Sequence, residues 1–351
     1  NFKIEEKMKN ILACFILIIL LIGCSSENNE QSAGKRVSSK PMSWGHKQSI
    51  YVFADDDIWR YAETPLRESL ERFIFTTQNE KYFEIERIDF ARLEQFYKFN
   101  NLVFFCDISS EGEVSNYVKG IMGEKIMAEV VENNVGIYPQ NNLWVNDQFV
   151  IFMLGDNEEN LLKLNILQSE RIFNLFKDKL FKRVEEQLYK FEVYSPATFA
   201  GYPWQIKIPK YYLLFKEDRA NNFISFLARS RDKADRYVAV YYEKIDKELF
   251  TREWLKEKRA ALVWNYYDED EFKDKDIRIE NYQKGDHKGW KLSGRWQNMK
   301  HLIGGAFQSF SFYDDSSGNA YIIDNSVYFP EGYKLNSLIE LEIISNSLVI
   351  E

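Results

Sequence analysis

The chain has 351 residues, enough for one large domain or two moderate ones around a sizeable core. Hydrophobic residues make up 45% and charged residues 28%, which excludes a disordered or fibrous chain. A net charge of -8 excludes phosphate-backbone binding as a default role, so no nucleic-acid partner is expected. The aromatic content of 16% predicts a strand-rich core, with carbohydrate stacking platforms as the alternative use of those rings.

The first informative element is the unbroken apolar run Ile11 to Ile22 (ILACFILIILLI). It is shorter than the ~20 residues a helix needs to cross a bilayer, and it follows Met8, Lys9 and Asn10, so it reads as the core of a signal peptide. Residues 1–7 are set aside from fold reasoning. Leu21-Ile22-Gly23-Cys24 resembles the lipobox of bacterial lipoproteins, which makes residues 1–23 a leader and Cys24 the lipid-bearing N-terminus. Each buried acyl methylene contributes about 0.8 kcal/mol, so two or three chains hold a domain at a membrane. Ser25 and Ser26 lack the Asp of the enterobacterial inner-membrane signal, which favours the outer membrane and leaves its two faces open. Cys14 leaves with the leader and Cys24 carries lipid, so Cys106 stands alone and no disulfide is predicted. It sits in the apolar run LVFFC and reads as a core residue.

Residues 24–47 read as a polar spacer. An N-terminal α/β domain is expected over 48–192. It contains the strand SIYVFA (49–54), a helix over ETPLRESLERFIF (63–75) with Pro65 in its first turn, the strand YFEIERI (82–88), a helix capped by Asp89, the buried strand NLVFFCDI, the strand QFVIFML and a long helix over 169–191. This order predicts an open sheet with helices on one or both faces.

The turn-rich stretch VYSPATFAGYPW precedes a C-terminal α+β domain, expected over 200–351. Strands are predicted over WQIKIP, YYLLFKE, NNFISFLARS and RYVAVYYEKI, with turns at Asn221–Asn222 and Lys233–Asp235. Thr251 caps the helix REWLKEKRAALVWNYY. Strands DIRIENYQ and WKLSGRW, a hairpin from FQSFSFY to AYIIDNSVYF, and a closing helix LNSLIELEIISNSL follow. The result is a largely antiparallel sheet backed by helices.

No GxSxG, HExxH, Walker loop, GxGxxG or CxxC pair occurs, and the three histidines are not at metal-ligand spacing, so no cofactor and no metal are expected. Two stretches remain as speculative ligand-binding candidates. Asp55, Asp56 and Asp57, with Trp59, follow the first strand, where open α/β sheets bind ligands; turn and cap roles are the commoner use of such aspartates. Arg295 and Trp296, with Gly304 and Gly305, combine a clamp for an anionic or planar group with a backbone that permits close approach, by a ligand or by a neighbouring segment; a bulge or tight turn before the hairpin is the commoner use of such glycines. DEDEF (268–272) and DDSSGN read as solvated loops.

Taken together, YVFADDDIW, NLVFFCDIS, the Trp144 to Gln148 segment, IKIPKYY and GRWQNMKHLIGGAFQSFSFYDD with AYIIDNSVYFP resemble an uncharacterised family of Bacteroidetes-type envelope lipoproteins, catalogued only as a domain of unknown function. The resemblance covers nearly the whole chain after the leader. It implies a Gram-negative envelope lipoprotein and supplies no catalytic residues. The chain departs from it at Gly304-Gly305-Ala306-Phe307, where the family pattern is Gly-Gly-Pro-Phe. IKIPKYYLLFKEDRANNFISFLARS is also similar, as fold analogy, to small α-β-α domains of the photosystem-associated PsbP type.

The functional expectation is a lipid-anchored, non-enzymatic binding or assembly module, with the membrane and an envelope protein as partners. A small-ligand or glycan binder whose cleft brings Trp59, Arg295, Trp296 and the Gly304–Gly305 turn together, and a carboxylate-dependent hydrolase built on Asp55, Asp56 or Asp57, are the alternatives.

Overall fold

The computed structural model describes residues 40–351; the leader, Cys24 and most of the spacer lie outside the described residues. The first half contains β1 (Ser49–Phe53), α1 (Asp56–Leu70), the small hairpin β2 (Phe73–Phe75) and β3 (Asn79–Lys81), β4 (Glu84–Arg87), β5 (Asn101–Asp107), α2 (Glu113–Asn133), β6 (Val135–Asn141), β7 (Phe149–Gly155), α3 (Glu158–Leu167) and α4 (Ser169–Leu188). Its sheet has the order β4-β1-β5-β7-β6, parallel except for the β6–β7 pair. Both faces are covered, which explains the continuous apolar runs. Ile50, Val52, Val103 and Phe105 point to one core with α1, α3 and α4, while Tyr51, Phe53, Phe104 and Cys106 point to the other with α2.

The second half contributes β8 (Trp204–Gln205), β9 (Leu213–Asp218), β10 (Phe223–Ser230), β11 (Lys233–Lys244), α5 (Arg252–Tyr266), β12 (Ile277–Lys284), β13 (His287–Asn298), β14 (Ile303–Asp314), β15 (Asn319–Tyr328), α6 (Leu335–Asn346) and β16 (Val349–Ile350), which pairs with β8. Seven strands form one antiparallel sheet in the order β12-β13-β14-β15-β11-β10-β9. One face carries α6; the other carries α5, whose Leu255, Leu262 and Val263 are buried. The expected α/β half followed by a largely antiparallel, helix-backed half is therefore the observed fold.

A single core joins the halves. Leu66, Phe105 and Phe176 belong to the same buried cluster as Val240, Ile323, Leu338 and Ile344. The layers run α2, first sheet, α1 with α3 and α4, α6, second sheet, α5.

Local expectations differ from the structure at four places. α1 begins at Asp56, seven residues before the expected start, because Ile58, Ala62, Leu66 and Leu70 repeat every fourth residue and bury one face; Pro65 lies inside the helix, and 73–75 is a strand. α2 and α3 are additional helices. α2 hides its pattern because its apolar residues are spread around it and Gly123, at φ 75°, breaks it. Lys233–Asp235 is the start of β11, with Asp235 opposite Tyr328. Gly304 and Gly305 lie in the regular ladder of β14, paired with Gln297 and Trp296.

No helix of the described residues is long and apolar enough to cross a membrane.

Candidate ligand cavity

The aspartates after β1 are engaged in holding helices. Asp55 accepts from the backbone N–H of Val114 (2.9 Å) and Ser115 (3.1 Å) and from Ser115 Oγ (2.7 Å), so it caps α2 from across the sheet. Gly112 makes room for it: a Cβ there would lie 2.2 Å from the Asp55 carboxyl. Asp56 and Asp57 occupy the first turn of α1, where negative charge favours the helix N-terminus. Arg87, bonded to Asp56, holds that carboxyl below its usual range. Trp59 is buried in the central core.

Arg295 pairs with Asp276 and lies over the Phe75 ring, 5.5 Å from its centroid. Trp296 is buried on the α5 side of the second sheet. A Cβ on Gly305 would fall 2.0 Å from Val327 O and 2.7 Å from Trp296 Nε1; on Gly304 it would fall 2.7 Å from Trp296 O. The paired glycines thus admit a neighbouring strand and the indole. The structure does not bring the candidates into one cleft, because Trp59 and Trp296 belong to different cores and Asp55–Asp57 line a separate shallow depression. Among the described residues, no cluster of three or more His, Cys, Asp or Glu could hold a metal ion. Cys106 is fully buried, and burial pushes its thiol up to about 12, far from nucleophilic use.

Of the predicted residues, Trp296 alone lines an aromatic-rich cavity of about 320 Å³ at one end of the second sheet. The period of two along each strand assembles it. Asp235 and Tyr237 come from β11, Ser326 and Tyr328 from β15, and Trp296 and Asn298 from β13. Phe215 and Lys216 on β9 form part of the rim, and the end of α5 adds Tyr266, Tyr267, Asp268 and Asp270. Six aromatic side chains line it, some in mutual contact: Tyr237 with Tyr267 at 5.9 Å, Phe215 with Tyr237 at 5.7 Å and Trp296 with Tyr328 at 6.2 Å between centroids.

The DEDEF segment, expected as a solvated loop, forms a wall of this cavity. Asp268 and Glu269 both adopt positive φ, 59° and 69°, a conformation that costs about 1–3 kcal/mol per non-glycine residue and persists only when its surroundings enforce it. The enforcing contacts come from the β13–β14 turn. Asn298 Nδ2 donates to Asp268 O (2.8 Å) and Asp270 Oδ1 (2.9 Å), Lys300 binds Asp268 (2.9 Å), and His301 bonds to the same carboxylate. Lys300 and His301 hold the Asp268 carboxyl below its usual range, whereas burial raises Asp270 to about 6.

Trp296 Nε1 and Ser326 Oγ, buried polar atoms of lining residues, have no hydrogen-bond partner. Arg259 is fully buried; its Nε donates to Asp324 Oδ1 (2.8 Å) and Ser309 Oγ (2.9 Å), and its guanidinium lies 3.3 Å from the Phe307 ring centroid. Each buried polar group without a partner costs about 1–3 kcal/mol. Sequence reasoning missed Tyr237, Tyr267, Asp270 and Asn298. The usable signal was alternation on β11, β13 and β15, which puts polar and aromatic residues on a face otherwise apolar.

Residues 43–189 match a domain of unknown function (DUF8532), and residues 199–347 match a second domain of unknown function (DUF4837). No curated protein matches the chain. Among solved structures, the Saccharomyces cerevisiae Ran-binding protein Mog1p is similar at 9% identity and a TM-score of 0.31, covering 43% of this chain and 92% of its own. LpqN of Mycobacterium tuberculosis, described as involved in cell envelope biogenesis, is similar at 12% identity and a TM-score of 0.28, covering 43% and 87%. A Bacteroides thetaiotaomicron protein is similar at 11% identity and a TM-score of 0.26, covering 42% and 45%. The chain carries two successive domains of unknown function.

Proposed function

We propose that this chain is an envelope module, tethered to the outer membrane by lipid on Cys24, that binds a small ligand in the cavity at the end of its seven-stranded sheet without transforming it. The observation that carries this reading is the cavity itself: six aromatic side chains, strained backbone at Asp268 and Glu269, and the unpartnered Trp296 Nε1 and Ser326 Oγ. Binding is favoured over chemistry because the neighbouring carboxylates are engaged, Asp235 by Arg229, Asp268 by Lys300 and His301, and Asp270 by Asn298. The apolar run Ile11 to Ile22, followed by Gly23 and Cys24, supports the tether.

The test is to purify the protein from membranes in a neutral detergent and identify small molecules that it retains, beside a Tyr237→Ala form. A compound retained by the native protein and lost from the variant supports the reading; retention by neither counts against it. Cys24→Ser should move the protein from the membrane to the soluble fraction, and continued membrane association would remove the lipid tether from the account.

One observation favours a second reading, assembly with an envelope protein. The edge strand β9 exposes Leu213 (67%), Leu214 (52%) and Phe215 (44%) in succession. An apolar edge with unpaired backbone groups is a template for an added strand. Leu214→Lys should abolish capture of such a partner and leave ligand retention intact.

A further inference from the structure

Asp270 stands apart from the other charged groups around the cavity. Arg229 is taken up by Asp235 at 2.8 Å, Lys216 Nζ donates to Tyr266 O at 3.1 Å, and His301 bonds to Asp268. Asp270 differs from the other two lining carboxylates: among the described residues it has no ion-pair partner, and its hydrogen bond comes from the neutral amide of Asn298. Arg259, the buried cation that acts on it, is already paired with the buried Asp324. Arg259 is bonded to Asp324 and acts on Asp270 only through space. The C-terminal end of α5 lies here at Tyr266 and Tyr267, with Lys216 on its Tyr266 carbonyl. Aromatic faces line the same cavity as the Asp270 carboxylate, and their quadrupoles attract cations.

We infer that the cavity selects a small organic cation, an amine or quaternary ammonium group on a larger polar body, with Asp270 as its counter-ion and the tyrosines and Trp296 as its walls. This rests on the reading of the cavity as a ligand site. The raised pKa of Asp270 agrees with it, since burial dominates and is not offset by a nearby free cation. The charged groups that act on Asp270 are Arg259 from α5, which favours ionisation, and Asp324 from β15 and Asp268 from its own loop, which oppose it. A bound cation stabilises the carboxylate, so binding releases a proton from Asp270 below about pH 6.

Choline and its uncharged carbon isostere, 3,3-dimethylbutan-1-ol, are suitable probes, titrated against the full chain in neutral detergent by saturation-transfer NMR. At about pH 7.5 choline should bind at least about tenfold tighter than the isostere. At about pH 5 that preference should fall about tenfold, because a carboxyl titrating near 6 is then only about one-tenth ionised. Asp270→Asn should lose most of the preference for choline and all of its pH dependence, with the aromatic walls keeping the remainder. Equal affinity of the native protein for the two probes overturns the inference and leaves the ligand-site reading standing. Absence of choline binding also overturns it, and the retained-compound experiment with Tyr237→Ala then judges the ligand-site reading separately.

Discussion

Glu80 on β3 joins the two halves of the fold. It is buried and accepts two backbone hydrogen bonds, from Lys334 N (2.6 Å) and Leu335 N (2.7 Å). Both are orphan donors at the start of α6, whose N-cap residue, Lys334, supplies no side-chain cap. A residue of the first half therefore caps the final helix of the second. Glu80→Ala strands two backbone donors at about 1–3 kcal/mol for each donor left without an acceptor, and removes an anion from the positive end of a helix dipole. Relief from burying the carboxylate offsets part of this, so a net loss of about 3–4 kcal/mol is expected. Glu80→Gln keeps an amide oxygen for both backbone donors, and Thr76 Oγ1 already donates to Gln78 O (2.8 Å), so its loss should be about 1 kcal/mol. Urea unfolding followed by tryptophan fluorescence and by far-UV circular dichroism measures both. The native chain should show one transition, shifted to lower urea in the order native, Gln, Ala. A change below about 1 kcal/mol in the Ala form, or equal damage from Gln and Ala, would refute the capping argument.

Asp270→Asn should stabilise the protein at neutral pH. Its folded pKa of about 6 lies above the ordinary 3.8, so the stability that it contributes is present below about pH 4 and lost as pH rises through 6. The asparagine form should gain about 1–2 kcal/mol at pH 7.5, after allowing for partial exposure, and nothing at pH 3.5; an equal gain at both would contradict the burial argument. Asp55→Ala should cost about 1–3 kcal/mol by uncapping α2, and hydrogen exchange should quicken first at Val114 and Ser115. Gly305→Ala should cost about 1–3 kcal/mol and alter Trp296 fluorescence, because the added methyl meets Val327 O and the indole; an unchanged emission spectrum would show that the indole does not rest on that glycine.

Much of the fold was legible because both sheets leave simple patterns. Continuous runs such as NLVFFCD mark a strand covered on both faces, and Thr251 and Asp89 cap where a short polar side chain precedes a helix. α2 was hidden by glycine and weak amphipathicity. The cavity was harder to see, since it is assembled from strand ends distant in sequence, and Trp296 was its one conspicuous residue. The Asp55–Asp57 cluster reads two ways for a physical reason: aspartate suits caps and ligand sites for the same hydrogen-bonding reasons, and the bonds to Val114 and Ser115 agree with the cap role, the commoner of the two.

The most direct test of the account is hydrogen–deuterium exchange of the full chain with and without the small-molecule fraction of an envelope extract. Ligand binding in the cavity predicts slowed exchange confined to residues 266–270 and 296–303, Phe215 and Lys216, and the facing ends of β11 and β15. Slowing at the β9 edge alone, or no change anywhere, would contradict it.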